Sequence, residues 1–395
     1  MSSDVLILGA GPAGIATGLL LGRKGYSVEI VDSAFFPRTK ICGEFLNPQA
    51  VRWLEENDLL AEVEKIKPFP IHGMRLTDLA GKSVAGTYRS GVGYAIQRKE
   101  FDALMVSLIQ KEGIALHQGF RAKALIVEGN RAVGISGTDA NGATIEKRAR
   151  ILIGADGRNN LIGRTFRWMK TVKKFRKYAF LTYFRGVQDL QHYGEIHLAA
   201  NGYVGVAPLD EQLANIALVI DESDCPQGNT DLTEFLLNHL SRISLYKRIS
   251  NQDPLCPVIS AGPLAYELRQ TCGHGTLLVG DTCGFLDPFT GEGINYAFVS
   301  ATIAANVLDD CFVKGSFDDS DLAAYELQRK QLLGKKLRMS RFLQTAVHAK
   351  SIANFLVHRF ARDPQLANTM VSAVGSSIPV QEVWNPAFLC KVVFG

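Results

Sequence analysis

The sequence of 395 residues lacks several features that mark other classes of protein. None of its seven cysteines are paired in the Cys-x-x-Cys spacing of zinc and redox sites, which leaves no support for zinc or an iron–sulfur cluster and favours a reducing cytoplasm. No apolar run of about 18 residues is uninterrupted, so no membrane-spanning helix is expected. The net charge is only +4, which argues against a nucleic-acid partner.

The motifs of metal-dependent and serine hydrolases, H-E-x-x-H and G-x-S-x-G, are also missing. A hydrophobic fraction of 47% and a charged fraction of 21% are typical of a globular protein. At roughly 150 residues per domain, the length suggests two or three domains. The 37 glycines exceed the average share of roughly 7%, and their positions carry the clearest signal.

A glycine-rich turn follows the first apolar run, which extends from Val5 to Leu8. The turn reads Gly9-Ala10-Gly11-Pro12-Ala13-Gly14 and precedes an alanine- and leucine-rich stretch, a pattern typical of strand, turn and helix. Its glycines permit a tight turn, close approach of a pyrophosphate and close helix packing, while Asp32 at the end of the next strand can accept from a ribose hydroxyl. The pattern predicts a dinucleotide site whose first candidate residues are Gly9, Gly11, Pro12, Ala13, Gly14, Asp32 and Ser33.

The rest of the chain changes its pattern twice. A helical pattern follows Arg98, and residues 178–265 show alternating, aromatic-rich strands that predict an antiparallel sheet. From Ile294 to about residue 362 helical spacing dominates.

Two further motifs, Gly154-Ala155-Asp156-Gly157 and Gly280-Asp281 followed by Pro288, accompany the first turn. Together the three resemble those of the FAD-dependent oxidoreductases of the p-hydroxybenzoate hydroxylase fold, over about residues 1–300. The resemblance implies FAD, with Asp281 on its ribityl chain and Arg98 reaching its phosphates. It implies an α/β fold with a three-layer Rossmann-like FAD-binding domain (1–66, 95–165 and 266–310), an interleaved antiparallel substrate sheet (67–94 and 166–265) and a C-terminal helical region (311–395).

Two segments look like the geranylgeranyl reductase branch of that fold: Lys40-Ile41-Cys42-Gly43-Glu44 and residues 284–294, Gly-Phe-Leu-Asp-Pro-Phe-Thr-Gly-Glu-Gly-Ile. This resemblance implies reduction of isolated double bonds in prenyl or lipid chains, with Cys42 near the flavin. A thiol can supply a proton, and glycines that open the next helix let its amides face an anionic flavin edge. The sequence departs from the branch at residues 203–208, Tyr-Val-Gly-Val-Ala-Pro, where a Y-x-W-x-F-P segment is usual.

The predicted catalytic residues are Cys42, Gly291 and Gly293. The further predicted cofactor contacts are Arg38, Cys42, Gly43, Arg98, Asp156, Gly157, Gly280, Asp281, Pro288, Gly291, Glu292, Gly293, Ile294 and Asn295. No metal ligand is predicted.

Other functions stay open at this point. An FAD-dependent monooxygenase acting on an aromatic or polyketide would carry the same flavin motifs, and a non-catalytic FAD-binding redox sensor is the alternative of another class. A halogenase is less favoured because its W-x-W-x-I-P motif is absent. Because no second complete G-x-G-x-x-G occurs, the reductant is expected to be NAD(P)H docking transiently or a protein electron donor.

Two basic segments contain no acidic residue. Residues 164–177 hold seven Lys or Arg and residues 329–362 hold nine, and the usual explanation is a solvated face. In the second, Ile352, Phe355, Leu356 and Phe360 fall at helical spacing, which suits an anionic membrane surface or packing on the flavin domain. The expected partner is a hydrophobic or lipid substrate, and the expected location is the cytoplasm, with peripheral contact at the inner membrane surface and oligomeric state left open.

Overall fold

The structure is a computed structural model that describes residues 3–170, 172, 176–250 and 252–394. Its strands in chain order are β1 Ser3–Leu8, β2 Val28–Asp32, β3 Phe45–Leu46, β4 Phe69–Ile71, β5 Gly73–Thr77, β6 Ser83–Thr87, β7 Gly93–Ala95, β8 Ala115–Gln118, β9 Arg121–Glu128, β10 Arg131–Thr138, β11 Thr144–Gly154, β12 Met169–Lys170, β13 Lys177–Arg185, β14 Tyr193–Ala199, β15 Gly202–Pro208, β16 Leu213–Asp221, β17 Ile259–Ala261, β18 Glu267–Leu268, β19 Cys272–Gly273 and β20 Thr276–Leu278. Its helices are α1 Pro12–Arg23, α2 Pro48–Glu56, α3 Leu60–Glu64, α4 Arg98–Lys111, α5 Leu161–Thr165, α6 Leu232–Leu240, α7 Gly293–Lys314, α8 Asp319–His348, α9 Lys350–Arg362, α10 Pro364–Val374 and α11 Pro386–Phe394.

A parallel sheet with the strand order β20, β11, β1, β2, β8 organises the first part of the fold. Strand β1 is apolar and buried because a parallel sheet is covered on both faces. Helices α1, α4 and α7 share one hydrophobic core with it. Strand β11 pairs with two partners along its length. Its second half pairs with β1, and its first half pairs with β10 of the β9–β10 hairpin. This is the predicted Rossmann-like unit.

A second large sheet has the order β17, β13, β16, β15, β14, β5, β6. Its pairs are antiparallel, as predicted, except that β14 and β5 run parallel. One face packs on α6 through buried side chains such as Phe184 and Leu236, and the other faces the first unit and the C-terminal helices. Because β5 and β6 precede α4 in the chain while the other strands follow β11, the two units are interleaved.

Helical spacing is evident in the sequence to about residue 362, and two further helices, α10 and α11, follow within the expected helical region 311–395. The boundary predicted at residue 310 falls inside α7, which is one helix of 22 residues. By length and hydropathy α7 is the one helix among the described residues that could cross a membrane. In this fold it packs on α1, and side chains such as Phe298 and Leu308 belong to the core.

The basic segments are not uniformly solvated. In residues 164–177, positions 171 and 173–175 lie outside the described residues, and Lys177 is 1% exposed. In residues 329–362, Lys336 is buried and Arg329 lines the main cavity. The predicted apolar stripe of α9 is divided, because Phe360 is buried among the C-terminal helices while Ile352 and Phe355 are each 46% exposed.

Candidate active site

A cavity of about 880 Å³ runs between the parallel sheet, the second sheet and the start of α7. It is lined by nearly all the residues predicted as cofactor contacts. The exceptions are Gly14 and Asn295, which do not line it. The tertiary fold therefore brings five separate stretches of sequence, 9–13, 32–43, 98, 156–157 and 280–294, to one space.

The glycine turn between β1 and α1 lies at one end of the cavity. Gly9 has φ +108°, and a Cβ there would lie 2.5 Å from the carbonyl oxygen of Ala155. At Gly14 a Cβ would lie 1.9 Å from the Gly9 oxygen, so this glycine serves helix packing. At Gly11 a Cβ would meet only Arg38 Nη2, at 3.9 Å, so this side of the turn is open to the cavity. The arrangement suits a phosphate placed at the N-terminus of α1.

Asp32 is fixed beside this turn at the end of β2. Its Oδ2 accepts a hydrogen bond of 2.8 Å from the Ala10 amide, and its Oδ1 accepts one of 2.8 Å from the Ala34 amide. The carboxylate oxygens retain free lone pairs on the cavity side, where Ser33 also lies. This geometry suits acceptance from a sugar hydroxyl.

Two arginines share one carboxylate next to the turn. Arg98 donates to Asp102 through Nε and Nη2, over 2.8 and 2.9 Å, and Arg38 Nη1 lies 3.1 Å from Asp102 Oδ2. Burial lowers the pKa of Arg98, but Asp102 and the Cys42 thiol outweigh it and raise that pKa overall. Arg38 is therefore the cation beside Gly11, whereas the Arg98 guanidinium is held by Asp102 near Cys42. The predicted phosphate contact of Arg98 stays a prediction.

The second and third motifs meet along the middle of the cavity. Thr282 Oγ1 accepts from the Gly157 amide at 2.9 Å, which ties the two motifs together. Asp156 Oδ2 accepts from the Leu161 amide, while its buried Oδ1 has no hydrogen-bond partner among the described residues. Burial raises the pKa of Asp156 to about 6.

Asp281 points into the cavity from the third motif. Its side chain is exposed to solvent along the cavity it lines, and desolvation by the surrounding atoms raises its pKa against the opposing charges of Arg98, Lys40 and Arg158. Gly280 is needed for close packing, because a Cβ there would lie 2.6 Å from Ala13 Cβ.

The start of α7 closes the far end of the cavity. Pro288, Gly291, Gly293 and Ile294 line it, and a Cβ on Gly293 would meet only Asp281 Oδ1, at 3.9 Å. The Glu292 carboxylate turns away. It pairs with Lys336 Nζ at 2.9 Å and accepts from Tyr296 and Ser376, so its side chain anchors the C-terminal helices.

Asn295 lies in the first turn of α7 and is buried outside the cavity. It donates through Nδ2 to Gln49 Oε1 over 3.2 Å. Its predicted cofactor contact is not supported by this placement.

Cys42 is half-buried and lines the cavity. Its sulfur accepts from the Glu44 amide at 3.3 Å, and its carbonyl accepts from Asn215 Nδ2 at 3.0 Å. The thiol is thus fixed between the first unit and strand β16 of the second sheet. Next to it, a Cβ on Gly43 would meet nothing within 4 Å, which leaves the space beside the thiol open.

A buried polar cluster on the substrate side was not predicted. Lys177 Nζ donates to Asp287 Oδ2 over 2.7 Å, Tyr203 donates to Asp287 Oδ1 over 2.5 Å, and Gln344 also donates to this carboxylate. Burial, and then the charge of Asp287, raise the pKa of Tyr203 well above its ordinary value, so its hydroxyl keeps its proton. Two features of the sequence could have indicated this cluster: the acidic residue Asp287 inside the segment 284–294, and Lys177 at the start of the apolar strand β13.

The wall formed largely by the second sheet is mostly apolar and includes several glycines and alanines. At Gly205 a Cβ would meet only the Ala217 carbonyl oxygen, at 3.9 Å, so the strand leaves open space there. The apolar and small residues of this wall are Met74, Ala179, Leu181, Gly194, Ile196, Gly205, Val206, Ala207, Ala217, Val219 and Leu264.

These features fit FAD. The turn is open at Gly11 beside the cation of Arg38, and Asp156 offers a buried oxygen with no partner among the described residues. Gly43 and Gly293 both line the cavity and leave open space beside them, which a flat ring could use. Residues suited to hold the pyrophosphate, the sugar and the ring therefore line a single cavity.

Comparisons with known proteins agree with this geometry. A family model described as FAD binding domain matches residues 2–340. Digeranylgeranylglycerophospholipid reductase 1 of Methanococcoides burtonii is 27% identical over 349 residues, which cover 85% of this chain and 81% of that protein.

Two solved structures share the fold. A geranylgeranyl bacteriochlorophyll reductase-like protein of Thermoplasma acidophilum superposes with a TM-score of 0.80 at 21% identity, over 97% of this chain and 98% of that chain. A flavin-dependent brominase superposes with a TM-score of 0.85 at 21% identity, over 100% of this chain and 98% of that chain. The predicted fold class is confirmed, and the same fold occurs in proteins named for different reactions.

Proposed function

The chain belongs to the FAD binding domain family, and from this premise we propose that it reduces carbon–carbon double bonds of a prenyl or lipid chain. It is an FAD-dependent oxidoreductase, related to enzymes named as digeranylgeranylglycerophospholipid reductases. The proposal concerns the reaction and the substrate.

The apolar wall of the second sheet carries this proposal. A prenyl chain has no hydrogen-bonding group and gains free energy when its surface leaves water. A mostly apolar wall, open at Gly205, gives a long chain room beside the space that fits the flavin. The names of the reductase relatives support the same substrate class.

When bound and reduced, FAD supplies a hydride from N5. Cys42 lies on the cavity surface at the edge of the open space beside Gly43 and, in this proposal, gives its thiol proton to the second carbon of the double bond. The amides at the start of α7 stabilise negative charge at their end of the cavity. The wall of β13, β15 and β16 excludes water from the reacting carbons.

The reductant belongs to the same proposal. We infer that NAD(P)H docks transiently at the cavity mouth or that a protein donor delivers electrons, because the sequence has no second complete dinucleotide turn. Comparing flavin reduction by NADH and NADPH in the purified protein checks this inference.

The C-terminal helices are proposed to contact the lipid surface that holds the substrate. Residues 329–362 contain no acid, and Ile352 and Phe355 are exposed among these cations. Cations interspersed with exposed apolar side chains suit an anionic membrane surface.

Anaerobic turnover tests the reaction. The FAD-loaded protein is reduced with dithionite, which needs no assumption about the natural donor, and mixed with a digeranylgeranyl glycerophospholipid. We expect the oxidised flavin absorbance to return and the lipid to gain two hydrogens for each double bond reduced, as measured by mass spectrometry.

Other outcomes contradict the proposal. If an aromatic or polyketide substrate gains oxygen only in air, the protein is a monooxygenase, and if a product gains halogen it is a halogenase. If no lipid or aromatic substrate reoxidises the flavin or sustains NAD(P)H oxidation, the non-catalytic redox sensor is favoured.

A further inference from the structure

Glu44 is a buried carboxylic acid two residues from Cys42, and the reaction proposed above gives it no role. Its side chain is 1% exposed. Its backbone has φ +55°, a left-handed conformation that is uncommon for a residue with a side chain and is frequent at functional sites. The Glu44 amide donates to the Cys42 sulfur at 3.3 Å.

The Glu44 carboxyl is held by one oxygen only. Oε1 accepts from the Arg98 amide at 3.0 Å and from the Tyr183 hydroxyl at 2.7 Å. Oε2 is buried and has no well-directed hydrogen bond among the described residues, although the Asn215 amide lies beside the carboxyl. An oxygen in this position is suited to carrying and releasing a proton, because the other oxygen keeps the group in place.

Glu44 also lies between two spaces. It lines the main cavity, and it lines a second cavity of about 280 Å³. The second cavity is bordered by the polar or charged side chains of Thr39, Lys40, Gln97, Lys99 and Tyr183 and by Leu213, Leu255 and Cys256. Gln97 leads into α4 and Lys99 is exposed, so this space reaches solvent away from the apolar wall.

We propose that Glu44 carries protons from the second cavity to Cys42. The Cys42 thiolate is thereby reprotonated while an apolar chain fills the main cavity. The inference rests on the proposed function in one respect, that Cys42 is the proton donor. Glu44 acts through Cys42 and does not touch the substrate.

Hydride and protons balance for each double bond that is reduced. One carbon receives hydride from the reduced cofactor, and the other takes the proton of the Cys42 thiol. The resulting thiolate takes the proton of the Glu44 carboxyl, and the carboxylate then takes one from water in the second cavity. No other oxidant or reductant is needed.

The charges around Glu44 determine how it titrates. Burial raises its pKa, and the nearby Asn215 amide, the Tyr183 hydroxyl and Arg98 oppose this effect. These three groups lie on β16, β13 and α4. The other titratable groups near it are Cys42 in its own turn and Lys40, Lys99 and Cys256 around the second cavity.

The test follows alkylation of Cys42 against pH in the oxidised, FAD-loaded protein without substrate. The rate is taken from the peptide that contains residue 42, by mass spectrometry, because the chain has seven cysteines. When a carboxyl and a thiol are coupled, each titration appears in the other's profile. We expect two inflections in the unaltered protein and loss of the lower one in Glu44→Gln, which keeps the side-chain volume.

A second variant keeps the test informative if Glu44→Gln does not fold. Tyr183→Phe removes only a hydroxyl that stabilises the ionised carboxylate, so the lower inflection should move to higher pH. Cys225→Ser, which alters a half-buried cysteine that lines neither cavity, should leave the profile of Cys42 unchanged. The relay is overturned if Glu44→Gln keeps both inflections or if Tyr183→Phe leaves the lower one in place. Because no turnover is involved, this result is independent of whether prenyl chains are the substrate.

Discussion

At the scale of single residues, Cys42 is the side chain whose chemistry the proposed reaction needs most. Its thiol lies on the cavity surface, and its carbonyl is tied to Asn215 of the second sheet. Cys42→Ala should keep FAD and lower the rate of double-bond reduction by about 10²-fold, the low end of what a positioned general acid contributes. The measurement is single-turnover oxidation of the dithionite-reduced flavin by the lipid.

The matched control for this variant is Cys225→Ala. Cys225 is also half-buried but lines neither cavity, so the rate of double-bond reduction by this variant should equal that of the unaltered protein. Full turnover by Cys42→Ala would remove the thiol from the mechanism while leaving the fold and the cofactor site untouched.

Gly11 is the second residue for which the structure makes a sharp prediction. It has an ordinary φ of −81°, and an added Cβ would enter open space in the cavity without touching the fold. Gly11→Ala should therefore fold with unchanged thermal stability in the absence of FAD. It should bind FAD about tenfold more weakly, because the added methyl group occupies space that the pyrophosphate needs. Fluorescence titration with FAD measures the affinity.

Gly334 provides the control for Gly11, because a Cβ at this position of α8 would also meet nothing within 4 Å, and it does not line the cavity. Gly334→Ala should bind FAD normally and be slightly more stable, since alanine is the better helix former. Equal FAD affinities in the two variants would contradict the placement of the pyrophosphate.

At the scale of elements, strand β14 has a charged cluster beneath the apolar wall. Glu195 is 2% exposed and accepts from Arg248 Nη1 at 2.6 Å, and its Oε2 lies 2.8 Å from His197 Nε2. Burial alone would raise the pKa of Glu195, but the bonds from His197 and Arg248 outweigh burial and hold the pKa at about 2. The cluster fixes β14 to the loop that carries Arg248.

This lowered pKa predicts acid sensitivity of the second sheet. A carboxyl whose folded pKa lies below its unfolded value of 4.5 stabilises the fold above that value and loses the contribution as the pH falls toward 2. The full contribution is about 3 kcal/mol. Urea unfolding at a series of pH values should show Glu195→Gln less stable than the unaltered protein at pH 7, with the difference shrinking between pH 4.5 and 2.

The control is Glu211→Gln, in the exposed turn between β15 and β16. Its unfolding free energy should follow that of the unaltered protein across the whole pH range. A constant difference between Glu195→Gln and the unaltered protein would show that the Glu195 charge does not stabilise the sheet.

At the scale of the whole molecule, the C-terminal helices form their own buried cluster and leave Ile352 and Phe355 outside it. If this surface contacts lipid, the double variant Ile352→Ser, Phe355→Ser should bind vesicles containing anionic phospholipid about tenfold more weakly. The reason is that two apolar side chains are no longer buried in the lipid surface. Sedimentation with vesicles measures binding, and added salt should weaken it for the unaltered protein.

The control is Val127→Ser, which removes another exposed apolar side chain, on strand β9. It should bind like the unaltered protein. Equal binding to neutral and anionic vesicles would argue against the role given to the basic residues of segment 329–362.

Local patterns were enough to predict the elements that hold the dinucleotide site. The turn from Gly9 to Gly14, the strand ending at Asp32 and the helix that starts at Arg98 depend on neighbouring residues only, and each lies where the pattern placed it. Helical spacing is less evident after residue 362, because α10 begins only after Asp363-Pro364 and α11 only after the 375–385 turn region.

The side-chain partners could not be predicted in this way. Glu44, Asp287 and Glu292 all lie within segments that carried the family resemblance, yet only one of them had been given a role, and its side chain turns to Lys336 instead. Their partners come from positions that are far away in sequence, such as Tyr183 for Glu44 and Lys177 for Asp287. A carboxylate in a motif does not by itself indicate which cation or hydroxyl it will meet.

The sequence alone thus determined the FAD-binding unit, because turn geometry, strand burial and helix amides are local properties of a few adjacent residues. Only the tertiary structure decided which side chains face the cofactor, which anchor the C-terminal helices, and that Glu44 lies between two cavities. These outcomes depend on strands and helices that are distant in the chain and meet only after packing, where burial and charge pairing determine the chemistry of each group.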